Sequence, residues 1–200
     1  MNRLLLITSV FLGSCMGSGS KESKNDSTST QDEIIQTDEK IVGASENYFS
    51  RKVDRKAEWV LGKTYKTKPE ALKTLYIATS RLVSEAVTQN KWVMTGSIMA
   101  IYDEIPRPHS ETKIFVGVPV SQKGNVPGLE WRKLKGGTYI KATTNFEIGQ
   151  TAQAWESVKN DLTNKGNNLG FPVYEYPSDS RNSEMTTEVS QCNLLFPIQN

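Results

Sequence analysis

Gly96-Ser-Ile-Met-Ala-Ile-Tyr102 and Gly170-Phe-Pro-Val-Tyr-Glu-Tyr176 each set a glycine six positions before a tyrosine, at corresponding points in the two halves of the chain. Each is followed by an apolar stretch with a matching end, Val118-Pro119-Val120 in the first half and Phe196-Pro197-Ile198 in the second. A short apolar run bounded by glycine and proline is a strand signal, and the same pair of runs twice over is the signature of an internal repeat.

Working outward, Glu58 to Thr64 reads as a strand. Thr67-Lys-Pro-Glu70 then has the form of a capping box with proline in the first turn. Leu72, Leu75, Tyr76, Thr79, Leu82, Val83 and Ala86 follow at helical spacing, to an end near Asn90. Val93 to Tyr102 and Lys113 to Val120 read as strands. In the second half, Leu129 to Leu134 and Thr138 to Thr144 read as strand around the Lys135-Gly-Gly137 turn. Ile148, Ala152, Trp155, Val158 and Leu162 mark one face of a second helix, ended at Lys165-Gly166. Pro172 to Tyr176 and Thr186 to Ile198 close the chain as strands. The expected fold is therefore α+β: tandem β-α-β-β repeats about a pseudo-twofold axis, forming a sheet-based ligand cleft at their seam, where small-molecule sites commonly lie.

The N-terminus carries a different message. Met1-Asn-Arg3, the apolar run Leu4 to Leu12 and Gly13-Ser14-Cys15 give one positive charge, a short apolar core and small residues before a cysteine. The run is too short to span a bilayer core and has the form of a secretory signal. Leu12-Gly-Ser-Cys15 resembles the bacterial lipobox, which implies a signal peptide over 1–14 and an acylated Cys15. Residues 15–44 are polar, small and mixed in charge, a composition expected to behave as a disordered tether. Residues 45–200 form the expected folded domain. A lipid-anchored monomer in the bacterial envelope, meeting the membrane through its acyl chains, is the resulting expectation.

Composition excludes some classes. The formal net charge of +2 carries no basic excess that would argue for a nucleic-acid partner. With Cys15 acylated, Cys192 has no partner in the chain and reads as a small core residue. The single histidine, His109, lies in Pro106-Arg-Pro-His-Ser-Glu111, a loop composition unsuited to a metal site or a haem ligand. No cofactor is expected.

Taken together, Gly96–Asp103, Lys113–Val120, Gly136–Ala142, Ala154-Trp155 and Pro172–Asp179 with the tail Leu195-Phe-Pro-Ile198 resemble the GyrI-like family, the effector-binding domain of AraC-type and multidrug-responsive regulators. The resemblance covers about residues 55–200. It implies two β-α-β-β repeats around an aromatic-walled cleft, in which a glutamate meets cationic or lipophilic ligands in many members. Some members lacking a DNA-binding domain hydrolyse strained electrophiles with that glutamate. The family pattern is glutamate, any residue, tyrosine; here the order is Tyr174, Glu175, Tyr176. A gapless match puts Tyr174 in the glutamate's place and sets Tyr102 against Tyr176. Strand alternation would then turn Glu175 away if the two tyrosines face the cleft. The candidate ligand-binding residues are Tyr102, Tyr174, Glu175 and Tyr176, and Glu175 is the only candidate catalytic residue. Three readings follow: a reversible binder of an amphipathic or lipophilic, cationic or neutral, small molecule; a hydrolase using Glu175; and a structural lipoprotein without ligand.

Overall fold

The computed structural model describes residues 41–45, 48–177 and 191–199, the first of these segments as backbone. Among them lie nine strands and two α-helices. The strands are β1 (Ile41–Ser45), β2 (Tyr48–Arg55), β3 (Glu58–Thr67), β4 (Met99–Tyr102), β5 (Thr112–Pro119), β6 (Glu130–Leu134), β7 (Gly137–Thr144), β8 (Val173–Pro177) and β9 (Cys192–Pro197); the helices are α1 (Leu72–Asn90) and α2 (Ala152–Asn164). All the strands join one antiparallel sheet in the order β1-β2-β7-β9-β8-β4-β5-β3-β6. The α+β class and the tandem repeat are as expected: β3-α1-β4-β5 and β7-α2-β8-β9 are the two units, meeting where β4 pairs with β8.

Each repeat lends its leading strand to the other. β2 precedes the first unit but pairs with β7 of the second; β6 precedes the second unit but pairs with β3 of the first. The Lys135-Gly-Gly137 segment is therefore not a hairpin turn. It runs beside the β2–β3 junction, where a Cβ on Gly136 would lie 3.0 Å from the Ala57 nitrogen. The sheet curls so far that residues on separated strands touch. The Arg55 guanidinium on β2 lies 5.9 Å from the Tyr176 ring on β8, and the Tyr139 and Tyr174 rings are 5.8 Å apart.

Two cores result. Both helices cover one face, where Leu61, Tyr76, Val83, Tyr102, Val116, Trp155, Leu162 and Phe196 pack together. The other face folds onto itself, and its core of Val60, Met99, Ile101, Phe115, Leu134, Tyr139, Tyr174 and Leu195 is drawn from strands alone.

Local expectations fared unevenly. α1 ends at Asn90 as read, in a Schellman-type closure with Lys91 left-handed at φ 55° and Trp92 N–H bonded to the Val87 carbonyl. The capping box at Thr67 does not form, since no side chain caps either the short helix Pro69–Ala71 or α1. Glu70 instead accepts the His109 N–H at 2.8 Å and lies 2.9 Å from its Nδ1. Leu82, placed on the apolar stripe, is 42% exposed. The strand read from Val93 begins only at Met99, and β2 carries no alternation clear enough to have been read. The paired strand β1 starts within the last residues assigned to the tether. The signal peptide, Cys15 and most of the tether lie outside the described residues, as does Thr186 to Ser190 of the last strand.

Candidate functional site

Glu175 sits in the middle of β8, opposite Ala100 of β4, at the seam between the repeats. It is fully buried. Alternation along β8 sends Val173 and Glu175 to the helix-covered face and Tyr174 and Tyr176 to the other. The four candidate ligand-binding residues therefore do not form one wall. Tyr102 and Glu175 come together on one side of the sheet; Tyr174 and Tyr176 pack with Tyr139 and Arg55 on the opposite side.

The reason is a one-residue slip in the repeat. Pro119 and Pro197 occupy equivalent ladder ends, opposite Val60 and Tyr139. Two residues before each proline, Gly117 pairs with Met99 and Leu195 pairs with Tyr174. Met99 thus corresponds to Tyr174 and Ala100 to Glu175, so Tyr102 is not the counterpart of Tyr176. The matching tyrosines in the sequence lie out of structural register.

Around Glu175 the elements converge. The Tyr102 hydroxyl on β4 donates to Oε2 at 3.1 Å, and the Trp155 indole N–H on α2 donates to the same oxygen at 3.4 Å. The Tyr76 hydroxyl on α1 donates to the Glu175 backbone carbonyl at 2.8 Å. Trp155 packs edge-on against Tyr102 and Phe196, with ring centroids 5.8 and 5.1 Å away. Among the described residues, Glu175 Oε1 has no hydrogen-bond partner of ordinary geometry. Burial pushes the carboxyl up to about 7; Thr151, Tyr102, Trp155 and Cys192 favour its ionised form and pull the other way. Burial and then the neighbouring carboxyl raise Tyr76 and Tyr102 well above the usual phenol range. The same two causes raise the Cys192 thiol, so this buried free cysteine is no thiolate nucleophile.

An uncompensated acid in an aromatic enclosure can take a proton or meet a cation, because either relieves the cost of a buried charge. No cation partner for Glu175 exists among the described residues. Neither does a cluster of three or more metal-ligating side chains. No described helix is long and apolar enough to cross a membrane.

Tyr76, Trp155 and Phe196 are the site neighbours that sequence reasoning did not assign. Each lies on an ordinary apolar stripe, and nothing in spacing separates a site aromatic from a core one. Trp155 carried the one usable hint, since a buried indole N–H demands an acceptor.

No family model and no curated protein matches the chain. Among solved structures, the EcmrR C-terminal domain aligns with a TM-score of 0.62 at 12% identity, over 76% of this chain and 98% of that one. EcmrR in its DNA-bound transcription complex aligns with a TM-score of 0.59 at 12% identity, and this chain spans only 58% of its length. SAV2435 bound to tetraphenylphosphonium aligns more loosely, at 0.49 and 14% identity, over 76% of this chain and 94% of that one. At such identities the likeness is one of architecture: the chain has the fold of the EcmrR C-terminal domain.

Proposed function

We propose that the domain binds a lipophilic small molecule, of cationic character, against Glu175 and the rings of Tyr76, Tyr102, Trp155 and Phe196. The observation that carries this reading is the fully buried carboxyl, met only by neutral donors and with no counter-cation among the described residues. A permanent organic cation supplies the missing charge, and aromatic faces hold its apolar body. The GyrI-like resemblance, whose expected two-repeat fold the domain has, supports the same reading. Glu175 is closed to solvent, so the enclosure formed by α1, α2, β4 and β9 must open for a ligand to enter.

Tetraphenylphosphonium titration, followed by tryptophan fluorescence, tests the proposal. Saturable binding is expected, stronger at pH 8 than at pH 5.5, because the carboxyl must ionise to meet the cation. Glu175→Gln should weaken binding at least tenfold and remove the pH dependence. Binding unchanged in that variant would take Glu175 out of the site.

Hydrolysis of strained electrophiles is the second reading, favoured by the near-neutral carboxyl, which can act as base or nucleophile at physiological pH. Equal rates for the parent and Glu175→Gln on an epoxide panel would remove it.

We further propose that Cys15 is acylated and holds the domain at the envelope. The leader's charge, apolar run and small residues before Cys15 support this. Growth with an alkynyl palmitate should label the parent and leave Cys15→Ser unlabelled; equal labelling would refute the anchor.

A further inference from the structure

Three of the four tryptophans gather at one corner of the molecule, beyond the C-terminal end of α1. Trp92 follows the helix directly and packs at 5.8 Å against Trp131 of β6. Trp131 donates its indole N–H to the Gly124 carbonyl at 2.7 Å, and a Cβ on Gly124 would lie 2.6 Å from the Trp92 ring. The loop after β5 is thereby clamped between two indoles. The clamp sets Lys123 Nζ 4.1 Å above the Trp59 ring, with Lys133 Nζ at 5.9 Å from the same ring.

The corner is apolar at its tip and basic around it. Trp59 is 38%, Val93 62% and Met94 43% exposed. Val93 is tied into the corner by two hydrogen bonds with Ser121, and Met94 bridges to Val120. Lys91, Lys123 and Lys133 are exposed, and none forms an ion pair among the described residues. The acids on neighbouring strands are engaged elsewhere: Glu58 with Arg55, Asp103 with Arg132, and Glu130 with the Thr64 N–H.

From this arrangement we infer that the corner docks on the headgroup region of an anionic bilayer. Indoles with exposed edges favour the interface between water and hydrocarbon, and lysines standing over them can reach headgroups while their stems stay on apolar surface. A second copy of the chain is a poor occupant, since a self-complementary interface would bring the three lysines against their own equivalents.

The test uses residues 15–200 carrying Cys15→Ser, so that neither the apolar leader nor acylation plays a part and failure of the anchor reading leaves the result intact. Co-sedimentation with phosphatidylglycerol vesicles is compared with phosphatidylcholine vesicles at 0.1 M salt. Preference for the anionic vesicles is expected. Combined Lys91→Glu, Lys123→Glu and Lys133→Glu should weaken it on the order of a hundredfold. The corresponding Lys→Gln set, which keeps the surface uncharged, should show a smaller loss in the same direction. Brominated lipid should quench parent tryptophan fluorescence, with much of the effect lost in Trp59→Phe. Equal binding by parent and triple variants, equal binding to both vesicle types, or equal retention on polyglutamate and DNA would each overturn the lipid assignment.

Discussion

Glu175 concentrates the consequences of burial in one side chain. Its carboxyl is raised from the ordinary 4.5 to about 7, so between those values the folded protein holds a proton that the unfolded chain releases. The sign follows: stability falls as pH rises from about 4.5 through 7 and stays low above. The full span corresponds to about 3 kcal/mol. Urea unfolding of the parent should show a lower midpoint at pH 8 than at pH 5.5, whereas Glu175→Gln should show nearly the same midpoint at both. A second expectation concerns Tyr102→Phe, which removes a donor to Oε2. Losing that bond costs about 1 kcal/mol and should move the unfolding transition's pH dependence upward, since the ionised acid loses support. The sequence displayed Tyr102 and Glu175 as candidates but not their partnership. Deciding whether a strand residue faces in or out needs its register to a single residue. Two tyrosines at matching distances from glycines suggested an alignment that the proline-to-proline ladder shifts by one.

Among the elements, periodicity spoke most clearly where one face is buried and the other wet. α1 and α2 were readable because Tyr76, Thr79 and Val83, or Trp155, Val158 and Leu162, recur on one side. β2 was not, because Ser50, Arg51 and Lys52 break its apolar pattern and its stability comes from pairing with a strand nearly ninety residues away. Two positions tie elements together tightly enough to test. Gly117 of β5 faces Gly62 of β3, and a Cβ added at Gly117 would lie 2.6 Å from the Leu61 carbonyl. Gly117→Ala should therefore cost about 3 kcal/mol, measured as a fall in the urea midpoint. Gly149, at φ +87°, precedes α2 and lies against the short helix Pro69–Ala71 that leads into α1, where a Cβ would sit 3.1 Å from the Glu70 carbonyl. Gly149→Ala should cost about 1 to 2 kcal/mol and, by loosening the entry to α2, speed hydrogen exchange at the Trp155 indole.

At the scale of the molecule, the repeat was legible and its closure was not. The order strand, helix, strand, strand can be read twice along the chain, but nothing local in β2 or β6 reveals that each pairs outside its own unit. With β4 bonded to β8 and the outer strands exchanged, neither unit presents a complete sheet of its own. Unfolding should therefore be a single event. In Trp155→Phe the remaining tryptophans report only on the first unit and β6; their fluorescence midpoint should coincide with that of far-UV circular dichroism. Separate midpoints would mean that the units melt independently.

The traded strands also permit an unusual dissection. Gly128 lies in the exposed connection between β5 and β6, in a left-handed conformation with nothing within 4 Å of its missing Cβ. A backbone severed there would produce two polypeptides, each clasping a ribbon that belongs to the other, so neither could leave without abandoning a row of main-chain bonds. Produced as separate genes, the pieces should find each other and reassemble the acid enclosure, with reporter fragments fused at the cut regaining their signal when they do.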